Sequence, residues 1–132
     1  MGVVYHANYL VWFEVGRVEY MRMHGLNYKQ LELEGGCMIA VVEATMKFRA
    51  PARYDDEVVV ESKLLVARGS VIRFGYRILR EEDGVLLCEG ETVHVVVGRD
   101  MKRRRLPERY QQMLAEHVES LDAADEVTVD GD

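Results

Sequence analysis

The sequence predicts an α+β domain in which one long, buried helix is wrapped by a curved antiparallel sheet. Two observations carry this prediction. Residues 9–23 place apolar side chains on nearly every face of a helix, which is typical of a helix buried most of the way round. From residue 38 to residue 98 the chain alternates in the two-residue period of β-strands, with turn signals between the runs. One helix followed by strands indicates a helix enclosed by a single sheet.

The long helix has a start signal and a stop signal. Asn8 can cap its first turn with the side-chain oxygen, and Gly25 can adopt the left-handed conformation that ends a helix. Between Leu26 and Glu34, three leucines among polar residues predict a short helix or turn.

Four strands are predicted, at residues 38–49, 57–68, 71–80 and 85–98. Tight turns around Gly69 and at Asp83-Gly84 join the later strands into a meander. Gly90 is expected to mark a bulge or bend in the last strand. Four strands around one helix leave part of the sheet uncovered, so we expect a homodimer or a dimer-of-dimers tetramer.

The end of the chain contains an amphipathic helix and an acidic segment. Residues 107–121 carry apolar side chains at helical spacing, which completes a predicted domain over residues 1–121. Residues 122–132 are acidic and short of large apolar groups, and this composition predicts a disordered tail.

Length and charge narrow the class of protein. The chain has 132 residues, enough for one domain with a core, and a formal net charge of −6 argues against nucleic acid as a partner. It contains neither a signal peptide nor an apolar run of membrane length, so we expect no membrane insertion and a cytoplasmic location. Cys37 and Cys88 are predicted to be reduced, buried thiols. His24, His94 and His117 have no partners at metal-ligand spacing, so we expect structural roles and no metal site.

The beginning of the chain resembles a known family. It reads Gly2-Val3-Val4-Tyr5-His6-Ala7-Asn8-Tyr9-Leu10, followed by Phe13-Glu14 and Arg17. This resembles the opening of the 4-hydroxybenzoyl-CoA thioesterase family, in particular its short-acyl-CoA branch encoded near bacterial Tol–Pal genes. A softer likeness continues at residues 48–56, and the resemblance covers about the first 107 residues.

The resemblance implies a fold and a reaction. The fold is the hotdog fold, in which a long helix lies within a curved sheet. The reaction is hydrolysis of an acyl-CoA thioester to a carboxylic acid and free coenzyme A, with no metal or redox cofactor. Acyl carrier protein is a second carrier from which the acyl group could be cleaved.

The sequence departs from the family's pattern at one place. The family's main catalytic group is an aspartate three residues before the motif glycine, which is Gly2 here, so its place falls ahead of Met1. The family's first strand is also absent from this chain. Two explanations stay open: the chain was started at an internal methionine, or the protein is a catalytically inactive module that binds acyl-CoA or acyl carrier protein. The intact remainder of the motif favours the first.

Four residues near the helix start are candidates for chemistry. The resemblance assigns a catalytic role to His6, whose side chain would orient the substrate or the attacking water and whose backbone N–H would polarise the thioester carbonyl. The alternative for His6 is a local hydrogen bond that shapes the turn. Tyr5 and Asn8 are predicted to contact the substrate, although Asn8 could serve only as a cap. Glu14 is a further substrate-binding candidate, and its alternative is an ion pair with an arginine such as Arg17.

Four arginines are candidates for coenzyme A phosphates, namely Arg49, Arg53, Arg103 and Arg104. Arginine binds phosphate through two parallel hydrogen bonds, which suits this ligand. The alternative is a solvated basic strip without a ligand.

Overall fold

In the computed structural model, residues 7–118 and 125–130 are described, and they form three helices and one five-stranded sheet. The helices are α1 (Ala7–Met23), α2 (Tyr28–Gly35) and α3 (Glu108–Val118); the strands are β1 (Cys37–Phe48), β2 (Glu57–Arg68), β3 (Val71–Arg80), β4 (Leu86–Gly98) and β5 (Asp125–Asp130). The strand order is β1-β4-β3-β2-β5, and all neighbouring strands are antiparallel. The α+β class and the four predicted strands are confirmed, with strand ends shifted by one residue at most.

The inner face of the sheet packs against α1. In β3 the inward residues alternate as predicted, and Ile72, Phe74, Tyr76 and Ile78 are all buried. The ring of Phe13 on α1 stacks on the Tyr76 ring, with centroids 4.4 Å apart and planes 9° apart. This contact anchors the middle of α1 on the middle of the sheet.

One flank of α1 is not covered. The helix packs on β2, β3 and β5, which lie in one half of the sheet. On the other flank Leu10, Val11 and Val18 are exposed, so the prediction that α1 is buried most of the way round is wrong for this flank. The apolar periodicity of the sequence could not reveal this exposure, because exposed and buried apolar residues give the same pattern along a helix.

The structure corrects the expected cap of α1 and shows which form the segment after Gly25 takes. Because α1 begins at Ala7, Asn8 is the second helical residue and is not the cap; the cap position falls on residue 6, outside the described residues. The segment after Gly25 forms a regular helix, α2. Its cap is Asn27, whose side-chain oxygen accepts hydrogen bonds from the backbone N–H groups of Lys29 and Gln30 at 2.9 and 3.3 Å.

The predicted bulge at Gly90 is wrong. Gly90 pairs directly with Met46 in β1 and with Tyr76 in β3, whereas the β1–β4 register shifts between Val41 and Glu43. The glycine is required for a different reason. A Cβ atom at position 90 would overlap the Thr45 carbonyl oxygen and lie 3.0 Å from the Phe13 ring.

The expectation of disorder over residues 122–132 is wrong for part of the segment. The backbone of Asp125–Asp130 forms β5, which runs antiparallel to β2 from Ser62 to Glu57. The segment reads Asp-Glu-Val-Thr-Val-Asp, which alternates and contains three β-branched residues, and the outer edge of β2 offers unpaired backbone groups. The prediction of disorder gave more weight to the acidic composition of the segment than to this short alternation. The remaining tail residues, and residues 119–121 of the predicted last helix, lie outside the described residues.

The last helix is otherwise close to its prediction. Glu108–Val118 forms α3, which buries Tyr110 and Leu114 on the face that the apolar spacing indicated. The domain boundary at residue 121 stays a prediction. None of the helices described combines the length and apolar character needed to cross a membrane.

Gly90→Ala is expected to lower the free energy of unfolding by about 3 kcal/mol, because a fixed backbone oxygen blocks the added methyl group. Gly75→Ala is a matched control on the adjacent strand, since its Cβ would meet only the end of the flexible Leu65 side chain, at 3.0 Å. The control should change stability by less than about 1 kcal/mol. Urea unfolding curves measure both, and equal effects of the two substitutions would contradict this explanation of Gly90.

Candidate active site

The first turn of α1 is fastened to the loop that joins β1 to β2. Tyr9 is buried, and its ring makes edge contacts with Trp12 and Phe48, each with centroids 5.1 Å apart. Its hydroxyl oxygen accepts a hydrogen bond of 3.3 Å from the backbone N–H of Ala52. Tyr9 is therefore a core residue, as predicted, and it fixes where the helix begins relative to the loop.

The loop, residues 49–56, is held from the other side by Arg80 at the end of β3. The guanidinium donates from Nε to Oδ2 of Asp56 at 3.0 Å and from Nη2 to the Pro51 carbonyl at 2.9 Å. A third hydrogen bond runs from Nη1 to Asp83 at 2.9 Å. The backbone N–H of Arg53, followed by Arg80, holds the pKa of Asp56 below its ordinary value. Asp56 is therefore ionised and serves to hold the loop.

The predicted substrate-contact residues are only partly within the described region. Tyr5 and His6 lie outside it. Asn8 is half-buried in the first turn of α1, which keeps it beside the helix start. Glu14 is exposed and lies about 10 Å along the helix axis from Ala7, on a different part of α1.

The four predicted phosphate-binding arginines fall into two groups. Arg49 and Arg53 follow the end of β1, and the Arg49 side chain lies on the outer face of the sheet, where it forms an ion pair of 2.6 Å with Glu89. Arg103 and Arg104 lie at the opposite end of the sheet, where Arg103 bridges to Val97. The twelve residues of β1 separate the groups by about 36 Å. One chain does not bring all four together.

At this far end, Arg104 borders a shallow groove. It has a volume of about 470 Å³ and is lined by Arg99, Arg104, Glu34 and Asp100 together with Gly35 and Gly36. Charges of both signs occur there. The groove alone therefore has no clear preference for an anion.

A second depression lies on the outer face of the sheet. It has a volume of about 280 Å³, and its charged lining residues are Lys47, Lys63, Arg77, Glu61, Glu89 and Glu91. These side chains alternate with the inward ones, so they point away from α1. The depression is therefore separate from the candidate site.

A chain of buried polar groups crosses the interface between α1 and the sheet. Arg17 is only 9% exposed and donates to the hydroxyl oxygens of Tyr28 and Tyr76 at 3.3 and 3.5 Å. The Tyr76 hydroxyl lies 2.6 Å from that of Thr92, which lies 2.7 Å from Nε2 of His94. Burial raises the pKa of both tyrosines, so they keep their protons. The sequence gave no reason to connect these polar residues, because they lie on four separate elements, α1, α2, β3 and β4.

Arg17 fixes the direction of the first hydrogen bond in this series, because a guanidinium can only donate and the Tyr76 oxygen therefore accepts. Either hydroxyl can donate between Tyr76 and Thr92, and the tautomer of His94 decides the direction of its bond with Thr92. Nδ1 of His94 is a buried atom without a hydrogen-bond partner among the described residues. Burial, together with the positive charge of Arg17, lowers the pKa of His94 to about 4. His94 is therefore neutral at physiological pH.

The two thiols do not supply a nucleophile. Cys37 and Cys88 are both free and buried, which confirms the prediction. Burial raises the pKa of Cys88 to about 11, so its reactive thiolate form is scarce at neutral pH. Within the described part of the chain, no group of three or more histidine, cysteine, aspartate or glutamate side chains is placed to hold a metal ion.

The start of α1 offers the chemistry that the described residues support. Backbone N–H groups in the first turn of a helix lack intrahelical partners and carry the positive end of the helix dipole. A carbonyl oxygen at this position is polarised, and an oxyanion that develops there is stabilised further. Tyr9 and the loop hold these donors in a fixed place.

Comparisons with known proteins agree with this geometry. Residues 1–118 match the family model described as the thioesterase-like superfamily. The acyl-CoA thioester hydrolase YbgC of Escherichia coli O6:H1 is 36% identical over 107 residues, which cover 80% of this chain and 78% of the relative.

Solved structures have the same fold. The crystal structure of hypothetical protein TT1821 from Thermus thermophilus matches with a TM-score of 0.81 and 38% identity, covering 89% of this chain and 88% of the other. The DHNA-CoA thioesterase of Staphylococcus aureus matches with a TM-score of 0.80 and 26% identity, covering 92% and 83%. These likenesses confirm the predicted hotdog fold.

Stability is expected to fall as pH decreases from about 6.5 to 4, because unfolding frees His94 to take up a proton that the folded protein excludes. The loss assigned to this residue is about 3 kcal/mol over that range. His94→Gln removes the titrating group and should flatten this part of the profile. Urea unfolding at several pH values measures both proteins; parallel profiles would show that His94 does not cause the pH dependence.

Proposed function

Because the chain belongs to the thioesterase-like superfamily, we propose that it is an acyl-CoA thioesterase whose thioester carbonyl binds at the start of α1. The observation that carries this placement is the fastening of the first helical turn to the β1–β2 loop through Tyr9 and Ala52. It puts the start of α1 next to the loop that contains Arg53, whereas Arg49 pairs with Glu89 on the outer face of the sheet. A substrate whose thioester binds at the helix start would extend its pantetheine arm so that a phosphate meets the exposed Arg53 side chain.

In the proposed reaction, water adds to the thioester carbonyl and the bond to sulfur breaks, which gives a carboxylic acid and coenzyme A. The backbone N–H of His6 and the helix dipole stabilise the oxyanion that forms. The His6 side chain orients the water or the substrate, and Tyr5 and Asn8 line the acyl site. Glu14 is exposed and lies two turns along α1, so it is a candidate for the outer part of the substrate.

Two features support the enzyme over an inactive binding module. The two relatives above that have functional names are both thioester hydrolases. The helix start is also held rigidly, which is what stabilisation of an oxyanion requires. For location we propose the cytoplasm, which agrees with two free thiols in the chain.

We also propose that the protein forms a homodimer through the β1 edge. Among the described strands, β1 lies at one edge of the sheet, and its Val41 and Val42 side chains are exposed. An exposed apolar strand edge is prone to pair with another chain. The uncovered flank of α1, with Leu10 and Val11, provides further apolar surface for a second copy.

Antiparallel pairing of two β1 edges would bring the two groups of arginines close together. It lays the Cys37 end of one strand beside the Phe48 end of the other. Arg103 and Arg104 of a second copy then approach the β1–β2 loop that contains Arg49 and Arg53. Each site of the dimer would thus draw phosphate contacts from both chains, and a dimer of dimers would contain four such sites.

His6→Pro and His6→Ala are expected to reduce thioesterase turnover by different amounts. Proline removes both the side chain and the backbone N–H, and the loss of such a donor typically costs about 100-fold or more. Alanine keeps the N–H and should cost less. Proline at residue 6 removes no hydrogen bond within α1, because this residue precedes the first helical residue, Ala7. Thiol release from acyl-CoA substrates of several chain lengths measures turnover.

The control is His24→Ala, which changes a histidine just past the other end of α1 and should leave turnover within about twofold. Equal losses in His6→Pro and His6→Ala would contradict a role for the backbone donor. If the chain binds coenzyme A but releases no thiol from any acyl-CoA or acyl carrier protein substrate, both as given and when extended upstream of Met1, the protein is a binding module.

Val42→Glu is expected to convert the dimer to the monomer of 15.2 kDa, because it places a charge on the proposed contact edge. Val42 is 59% exposed in the single chain, so the substitution should not disturb the core. Leu33→Glu is the control, since Leu33 is 70% exposed on α2. Sedimentation at micromolar concentration distinguishes the two masses; a dimer that survives Val42→Glu would contradict pairing through β1.

A further inference from the structure

Arg80 is the side chain that joins both ends of the β1–β2 loop to the sheet. At the beginning of the loop it donates to the Pro51 carbonyl, and at the end it donates to Asp56. The Arg80 side chain is 17% exposed and that of Asp56 is 13% exposed, so this pair is largely shielded from water. A shielded ion pair with directed hydrogen bonds holds its geometry better than an exposed one.

Asp56 connects the Arg80 guanidinium to the backbone of Arg53. Oδ2 of Asp56 accepts both the Nε–H of Arg80 and the backbone N–H of Arg53, the latter at 2.9 Å. The backbone N–H of Asp56 in turn donates to the Arg53 carbonyl at 3.0 Å. The backbone of Arg53 is thus held on both sides by a residue that Arg80 fixes, while its side chain is exposed to solvent.

The residue between these contacts connects the loop to α1. Ala52 is fully buried, and its N–H donates to Tyr9 in the first helical turn. The separation between Arg53 and the helix start is therefore set by a short series of hydrogen bonds from Arg80 through Asp56 and the loop to Tyr9.

We propose that Arg80 is a positioning residue for coenzyme A binding. It holds Arg53 at the separation from the helix start that lets one substrate place a phosphate on Arg53 and its thioester at α1. This inference rests on the proposed function. The planar guanidinium suits the task because its nitrogens reach three different acceptors at once, which an ammonium group does not reproduce in the same geometry.

The test is a double-mutant cycle on the affinity of the full chain for free coenzyme A, measured by calorimetry at fixed salt. Arg80→Gln and Arg53→Gln should each weaken binding about tenfold, as expected for one charge-assisted contact. The double variant should be little weaker than either single variant, because both changes remove the same contact. If Arg80 only stabilised the fold, the two substitutions would act independently, and the double variant would lose affinity by the product of the two single losses.

Arg77→Gln is the matched control. It lies three residues earlier on β3 and pairs with Glu61 at 3.2 Å on the outer face, away from the loop. It should leave the affinity for coenzyme A within about twofold. Arg80→Lys is a second variant in case Arg80→Gln does not fold, and it should weaken binding in the same direction by about threefold.

The outcomes separate this inference from the proposed function. If the unmodified chain binds coenzyme A and the two substitutions act independently, Arg80 does not act through Arg53 and the inference is overturned. If Arg80→Lys and Arg80→Gln both fold and bind as tightly as the unmodified chain, it is overturned as well. A chain that does not bind coenzyme A at all overturns the proposed function and this inference with it.

Discussion

The close approach of α1 to the sheet is the constraint on which the rest of the structure depends. At Gly16 a Cβ atom would lie 2.6 Å from both the Ser62 hydroxyl and a methyl group of Val60, so the helix can reach β2 only where it has no side chain. Gly90 plays the corresponding part on β4, beneath the Phe13 ring. Two glycines on opposite sides of one interface allow the aromatic stack of Phe13 on Tyr76.

This close packing also explains how a charged group is accommodated in the core. Burying the Arg17 guanidinium is unfavourable unless its donors find acceptors. Tyr28 and Tyr76 supply two of them, and Tyr76 continues the series of hydrogen bonds through Thr92 to His94. One buried arginine is thereby linked, directly or in series, to four other polar side chains.

The sequence was sufficient for the parts of the fold that depend on local pattern. Period-two alternation located all four predicted strands, and the turn at Gly69 has the positive φ that the glycine indicated. It failed where a long-range contact decides. Gly90 looked like a bulge because the nearness of Thr45 and Phe13 cannot be seen along the chain. Val127 and Val129 lie in a strand because β2 has a free edge, which composition does not reveal.

The candidate site shows the same division. The opening motif predicted the helix start and its family, and the structure adds what fastens that start: Tyr9, Ala52, Asp56 and Arg80, four residues from three separate segments. Arg80 appeared in the sequence only as the last residue of a predicted strand. Its neighbours Asp56 and Asp83 lie 24 and three positions away, so their convergence on one guanidinium depends on the β2–β3 register.

The position of α1 links three observations that otherwise appear unrelated. Because the helix covers the β2 and β3 half of the sheet, it leaves the β1 edge with exposed Val41 and Val42. For the same reason its own flank with Leu10 and Val11 is exposed and packs against no element in the described part of the chain. The twelve-residue length of β1 also keeps Arg103 away from the helix start in a single chain. A second copy paired along β1 would cover both apolar surfaces and supply the distant arginines in one step. In the homodimer proposed above, the second copy would thus complete the half-covered sheet.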